Sequence, residues 1–139
     1  MMEKLKTLVQ QHRARTKPAT ADSIEKLQQA LQLELAPDYA AYLSSFGVIV
    51  HGATETYGLG VPDDYFLNVG ASYADLSRDP AYPRHAVPLL DVGDGRYYLY
   101  DNGTREILLW ATPNGGIVKV LDEGLETFLI RQLFGDAAA

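Results

Sequence analysis

Residues 24–47 read IEKLQQALQLELAPDYAAYLSSFG, and this stretch decides the fold because it predicts two successive helices. In the first helix, Ile24, Leu27 and Leu31 recur at the i, i+3, i+7 spacing of one buried stripe. Asp22 or Ser23 is placed to accept hydrogen bonds from the free amides of the first turn. The first helix therefore begins just before Ile24 and buries one side.

The second helix opens at Pro37, where proline loses no hydrogen bond because first-turn amides have no partner within the helix. Asp38 faces the positive end of the helix dipole. The apolar stripe of this helix consists of Tyr39, Tyr42, Leu43 and Phe46. Gly47 is the expected stop, because glycine readily adopts the left-handed conformation that ends a helix.

The composition describes one globular domain without covalent cross-links. The chain has 139 residues, of which 47% are hydrophobic and 22% charged. Cysteine is absent, which excludes disulfides, thiolate catalysis and cysteine-based zinc sites. The sequence shows neither a basic region followed by an apolar run, as in a secretory signal, nor an apolar stretch of membrane-spanning length. We therefore expect a soluble, cytoplasmic protein without membrane contact.

The negative charge is unevenly spread along the chain. Residues 1–34 hold six Lys and Arg against four Asp and Glu, a net of +2, whereas residues 35–139 hold six against fourteen, a net of −8. The overall net charge of −6 repels a phosphate backbone, so direct nucleic-acid binding is not expected. The acidic part suits a basic protein partner, although solubility alone also selects an acidic surface.

The region before the helical pair predicts an appendage to the main domain. Residues 5–15 form a short amphipathic helix, which docks on its own domain or on another copy, so the protein is a monomer or a weak homodimer. A linker follows at residues 16–20. The chain is thus divided into an N-terminal helix and linker at 1–19, a main domain at 20–135 and a loose tail at 136–139.

Beyond Gly47 the pattern changes to strands. Residues 48–50 suit a short buried strand, and Asp63-Asp64 can cap a helix within residues 65–76. Three turn dipeptides, Asp94-Gly95, Asn102-Gly103 and Asn114-Gly115, separate four predicted strands at 86–92, 96–101, 106–112 and 116–121. A last helix covers residues 123–134.

Side-chain alternation and element order define the fold class. Tyr98 and Tyr100 face one side of the strand meander, and Tyr97 and Leu99 face the other, so both faces are partly covered. Trp110, late in a central strand, is assigned to packing. We predict a single α+β domain. Its antiparallel or mixed sheet of about five to six strands ends in a hairpin meander and is packed by N-terminal helices and one C-terminal helix.

An ordered set of segments carries a family resemblance: Ile24 to Leu27, Leu35 to Leu43 with Phe46-Gly47, Tyr57 to Leu59, Tyr82-Pro83, Val87 to Leu90, Gly93 to Asp101, Ile107 to Trp110, and Phe128-Leu129. In this order they resemble the SUKH superfamily, the Smi/Knr-type domain, over roughly residues 20–134. One departure is Phe46-Gly47, where the family more often has an Asn-Gly pair.

The resemblance implies an α+β binding scaffold. Bacterial members are mostly immunity proteins, which bind a toxin delivered between competing cells and block it without catalysis. Others are adaptor or signalling modules, including eukaryotic cell-wall regulators. The family has no catalytic residues or cofactor to carry over. Cognate toxins include nucleases and other cytoplasm-acting enzymes. Because a nuclease is basic where it holds phosphate, an acidic inhibitor suits that surface.

The residues themselves argue against an enzyme. No two of His12, His51 and His85 lie three or four positions apart, as a helical pair of histidine ligands requires. No Gly-x-Ser-x-Gly elbow surrounds a serine, and residues 91–95 lack the alternating oxygen ligands of a calcium loop. We predict a non-enzyme without catalytic residues, metal or cofactor. The hypotheses in order are an immunity protein, an adaptor, and a small hydrolase or ligand carrier with an unrecognised site.

The candidate toxin-binding residues are aromatic anchors and acidic side chains that the fold does not require. They are Asp63, Asp64, Asp75, Asp79, Asp91, Asp94, Asp101 and Glu106, with Tyr73, Tyr82 and Tyr97 as anchors. Turns, caps and core packing are the alternative roles for these side chains. We expect a subset to converge on one face, or in a cleft between the sheet and the Glu55–Asp79 region.

Overall fold

A computed structural model describes residues 1–113 and 115–139, in which helices and short strands alternate before a four-strand meander. The helices are α1 (Glu3–His12), α2 (Ala21–Leu31), α3 (Pro37–Ser45), α4 (Val69–Leu76) and α5 (Leu125–Phe134). The strands are β1 (Arg15–Thr16), β2 (Ile49–His51), β3 (Thr54–Glu55), β4 (Ala86–Gly93), β5 (Arg96–Asp101), β6 (Ile107–Ala111) and β7 (Gly116–Leu121). The α+β class is confirmed, and the predicted Asn114-Gly115 turn lies outside the described residues.

The strands form two antiparallel sheets, so the prediction of one sheet with five to six strands was wrong in this detail. One sheet has the order β1-β2-β3 and the other β4-β5-β6-β7. The chain leaving β3 touches the larger sheet where the Tyr57 N–H donates to the Leu89 carbonyl over 2.9 Å. It then turns away, and the next N–H, that of Gly58, bonds to Leu67 instead. The two sheets therefore meet without forming a continuous ladder.

Three sequence-based boundaries are corrected by local hydrogen bonds. Helix α2 is capped by Thr20, whose hydroxyl accepts from the Ser23 N–H over 3.1 Å, rather than by Asp22 or Ser23. Helix α4 is capped by Asn68, and Asp63-Asp64 do not cap it, because turns occupy the residues between Pro62 and Asn68. Helix α1 ends at His12, since Arg13 adopts the left-handed conformation with φ 53°.

The N-terminal segment is built into the domain. Leu5 is fully buried and its N–H donates to the Glu126 carboxylate of α5 over 3.0 Å. Residues 15–16, predicted as the end of a helix and the start of a linker, form β1, which pairs with β2. The first helix thus packs on its own domain.

The predicted stop at Gly47 is confirmed, and a close approach of backbones makes glycine necessary there. Gly47 has φ +69°, and a Cβ at this position would lie 1.7 Å from the Lys17 carbonyl oxygen. Gly60 approaches the same oxygen from another segment, with an equivalent distance of 1.8 Å. Three backbone segments therefore cross at a point where side chains would not fit. They are the residue after β1, the end of α3 and the loop after β3.

The four-strand meander agrees with its predicted bounds to within two residues at each strand end. Tyr98 faces α5, where its ring packs edge-on against Phe128 at a centroid distance of 4.9 Å. Leu99 faces the opposite side with the fully buried Trp110, which confirms the packing role of Trp110. Strand β7 lies at the edge of this sheet and exposes about half of each of three apolar side chains: Ile117, Val118 and Val120.

Candidate functional site

Helix α4 and the loop after it cover the face of the four-stranded sheet opposite α5. The contact is a separate hydrophobic cluster in which Leu76 of α4 and Tyr82 of the loop meet the sheet residues Ala86, Leu99, Leu108 and Trp110. Three aromatic rings continue from this cluster towards the surface. Tyr73 meets Tyr82 edge-on at 5.6 Å, and Tyr82 meets Trp110 at 5.1 Å. This packing fixes α4 against the sheet.

Tyr97 lies half-buried beside this cluster, with its ring centroid 6.4 Å from that of Trp110. Its partner in the neighbouring strand is Asp91. Burial raises the pKa of the Tyr97 phenol, and the nearby carboxylates of Asp91 and Asp75 raise it further. The same two carboxylates act on Tyr57, whose pKa rises to about 12, chiefly through burial. Strand pairing places Asp91 beside Tyr97, and Asp75 lies on α4, which packs over the same face of the sheet.

The two carboxylates are exposed and available to a partner. Asp91 uses one oxygen to accept the Gly93 N–H over 2.8 Å, which fixes its position at the end of β4. Asp75 has an ion pair with Arg78 at 3.9 Å, and both side chains are largely exposed, so the pair is weak. The local charge beside Tyr97 is thus negative.

Two more of the candidate residues, Asp79 and Tyr82, lie on the loop after α4. Asp79 accepts from the Thr112 hydroxyl over 3.1 Å and from the Ala81 N–H over 2.9 Å, which joins the loop to the end of β6. Tyr82 is buried, and its hydroxyl donates to the Ala86 carbonyl over 2.9 Å. We name Tyr73, Asp75, Asp79, Asp91 and Tyr97 the acidic surface, which Tyr82 supports from beneath.

The other five candidates lie elsewhere. Asp63 and Asp64 are exposed in the loop before α4, and Asp94 occupies the β4–β5 turn with φ 55°. Asp101 accepts from the Gly103 and Thr104 N–H groups, which is a turn role, and Glu106 is exposed before β6. Of the eleven candidates, five form the acidic surface, Tyr82 lies beneath it and five lie outside it; their role in binding a toxin stays a prediction.

Sequence reasoning missed Tyr57, which the structure places beside the acidic surface. Its side chain is 8% exposed, and its position depends on the crossing of the chain from β3 to β4. No periodicity or turn signal in the sequence marks that crossing.

Two of the three histidines meet at another place. The rings of His12 and His51 lie 5.4 Å apart, and each packs on Phe134, at 4.7 Å and 5.0 Å. Within residues 1–113 and 115–139, no group of three or more His, Asp or Glu side chains has an arrangement that could hold a metal ion. Nor does any helix in these ranges have the length and apolar character needed to cross a bilayer.

Comparison with known proteins identifies the family. No curated protein matches the chain. The family model described as SUKH_5, SMI1-KNR4 cell-wall, matches residues 1–133, a range that runs from α1 almost to the end of α5. The chain therefore belongs to this SUKH family.

Proposed function

We propose that this protein is a cytoplasmic immunity protein that binds a cognate bacterial toxin and neutralises it by covering its surface, without catalysis. The observation that carries the proposal is the strand pairing that sets the exposed Asp91 beside the half-buried Tyr97, on the sheet face over which α4 packs with the exposed Asp75. Membership of the SUKH family, which includes immunity proteins, supports the same function. The proposal places the protein in interbacterial competition, as the antidote of a polymorphic toxin system.

The chemistry of the acidic surface favours a basic protein as partner. A lysine or arginine of the partner can pair with either carboxylate while its alkyl part lies on the ring of Tyr97. An aromatic anchor set in a rigid cluster loses little side-chain freedom on binding, which is typical of interface hot spots. The net charge of −6 also accelerates association with a positively charged surface. A nuclease toxin, which is basic where it holds phosphate, has the required chemistry.

The test is co-expression with the C-terminal domain of whatever large secreted protein is encoded immediately upstream, with survival and co-purification measured together. We expect rescue by the wild-type chain and a complex that weakens as salt is raised. The double variant Asp75→Asn, Asp91→Asn removes both charges, while the amide oxygen at position 91 can still accept the Gly93 N–H. We expect it to bind at least about tenfold more weakly.

The matched control is Asp22→Asn. Asp22 is an exposed carboxylate on α2 that pairs with Lys26 over 3.2 Å, so this variant changes the net charge away from the acidic surface. Failure of the wild-type chain to rescue would reject the immunity function. Equal affinities of the double variant and the control would reject the acidic surface as the binding site.

A second candidate is an adaptor that binds a protein of its own cell through the same surface. The family description, which names SMI1-KNR4 cell-wall, favours this function. The two functions differ in gene context, because an immunity gene lies beside its toxin gene. Without a toxin neighbour, capture of a basic partner by the wild-type chain but not by the double variant supports the adaptor.

A further inference from the structure

A cavity of about 420 Å³ lies on the small sheet, formed by residues other than those of the acidic surface. Its floor contains Val48 and Val50, and the loop before α4 forms one wall with Val61, Tyr65 and Leu67. Apolar walls around a concave space of this volume are typical of sites for small molecules.

Charged side chains stand at opposite rims of this cavity. Arg15, Val50 and Glu55 are paired across the three strands, so they lie in one row on the same face of the sheet. Neighbouring strands are about 4.8 Å apart, which separates the backbones of Arg15 and Glu55 by about 10 Å. Lys17 adds a second cation on the Arg15 side. The cavity is therefore positive at one rim and negative at the other.

These charges have no ion-pair partner in the described part of the chain: no carboxylate lies within 4.0 Å of Arg15 or Lys17, and no cation within 4.0 Å of Glu55. Arg15 and Lys17 are both exposed. In a chain of net charge −6, an anion is repelled by the overall field, and these two cations at one rim of the cavity offset that repulsion locally.

Two aromatic rings extend the apolar wall into solvent. Tyr65 is 40% exposed and Phe66 61% exposed, and their centroids lie 4.7 Å apart. Neither ring belongs to the buried core; Tyr65 lines the cavity, and Phe66 packs against Tyr65. Exposed aromatic side chains next to a cavity are typical of binding sites.

We propose that this cavity binds a small apolar monoanion, an aromatic or aliphatic carboxylate. Its carboxylate pairs with Arg15 and Lys17, and its apolar body lies on Val48 and Val50 beside Tyr65. Glu55 repels the carboxylate and so fixes the direction in which the ligand lies. This site is independent of the toxin-binding function, because it shares no residue with the acidic surface.

The test uses 2-naphthoate as the probe, with 2-naphthalenemethanol and 2-naphthylmethylamine as neutral and cationic analogues of similar shape. Titrations are followed by the amide signals of the ¹⁵N-labelled full chain. We expect saturable shifts at Val48, Val50 and Leu67 with naphthoate, and binding roughly tenfold or more weaker for the alcohol and for the amine.

Single substitutions at the two rims of the cavity should change the naphthoate affinity in opposite directions. We expect Arg15→Gln and Lys17→Gln each to weaken naphthoate binding by roughly threefold to tenfold, and Glu55→Gln to strengthen it by roughly twofold. The matched control is Lys26→Gln, an exposed cation on α2 whose loss leaves the affinity unchanged. The same spectra show that each variant is folded. Equal binding of the alcohol, shifts spread over the whole chain, or weaker binding by Glu55→Gln would each overturn the proposal.

Discussion

Thr56→Val tests whether one buried hydroxyl holds the small sheet onto α3. Thr56 is fully buried, and its hydroxyl accepts the Ile49 N–H over 2.8 Å. It also contacts the Tyr42 hydroxyl at 2.5 Å, and that hydroxyl donates to the Tyr57 carbonyl over 2.8 Å. Burial raises the pKa of Tyr42, which keeps this phenol protonated and able to donate. Valine preserves the shape of the side chain and removes only the hydroxyl.

The expected loss of stability in Thr56→Val follows from the groups that lose a hydrogen-bond partner. The Ile49 N–H is left buried without the hydroxyl acceptor, which costs about 1–3 kcal/mol. The Tyr42 hydroxyl keeps the Tyr57 carbonyl and adds little. We therefore expect a loss of about 2 kcal/mol in the free energy of unfolding, which lowers Tm by roughly 8 °C for a chain of this size.

Urea unfolding followed by the fluorescence of Trp110 measures this loss, because Trp110 is the single tryptophan and is fully buried. Tyr42→Phe should lower the free energy of unfolding by about 1–2 kcal/mol. The double variant should lose about 0.5–1 kcal/mol less than the sum of the two single variants, because the two hydroxyls touch. Thr127→Val on α5 is the exposed control and should change stability by less than about 0.5 kcal/mol. A cost for Thr56→Val as small as that of the control would refute the reasoning.

Two further predictions concern the backbone crossing and alkaline pH. Gly47→Ala should cost more than about 3 kcal/mol, because its Cβ meets the Lys17 carbonyl and φ is +69°; a folded variant of near wild-type stability in urea would contradict this. The pKa of Tyr57 is raised from 10.0 to about 12, so the stability it contributes is complete below pH 10 and is lost as the pH rises through 12. Tyr57→Phe should flatten the fall in stability over this range, measured by urea unfolding at each pH, and an unchanged slope would exclude Tyr57 as its source.

The parts of the fold that sequence predicts well are those determined by local signals. The pair α2–α3 follows from the apolar spacing around Ile24 and from Pro37, and the meander follows from turn dipeptides between strand-forming runs. The small sheet escaped prediction because β1 and β3 contain two residues each, too few to show alternation. Their pairing with β2 depends on contacts distant in sequence, such as Arg15 with Val50.

The cap of α2 shows the same limit of prediction from local sequence at the level of a single residue. Thr20, Asp22 and Ser23 are all suitable cap residues within one turn, and tertiary contacts decide among them. For the candidate site, acidic and aromatic composition indicated candidate residue types but not which of them lie near one another. The neighbourhood of Asp75 and Asp91 depends on how α4 packs across the sheet, which no local pattern encodes.

Strand β7 has a consequence for how copies of this protein meet one another. An edge strand with exposed β-branched side chains is a template for another strand, and within it only Lys119 carries a charge. The net charge of −6 keeps two copies apart at low ionic strength, and salt screens that repulsion. Added salt therefore favours edge-to-edge association of the chain with itself while it weakens a complex with a basic partner, so ionic strength acts with opposite sign on the two kinds of contact.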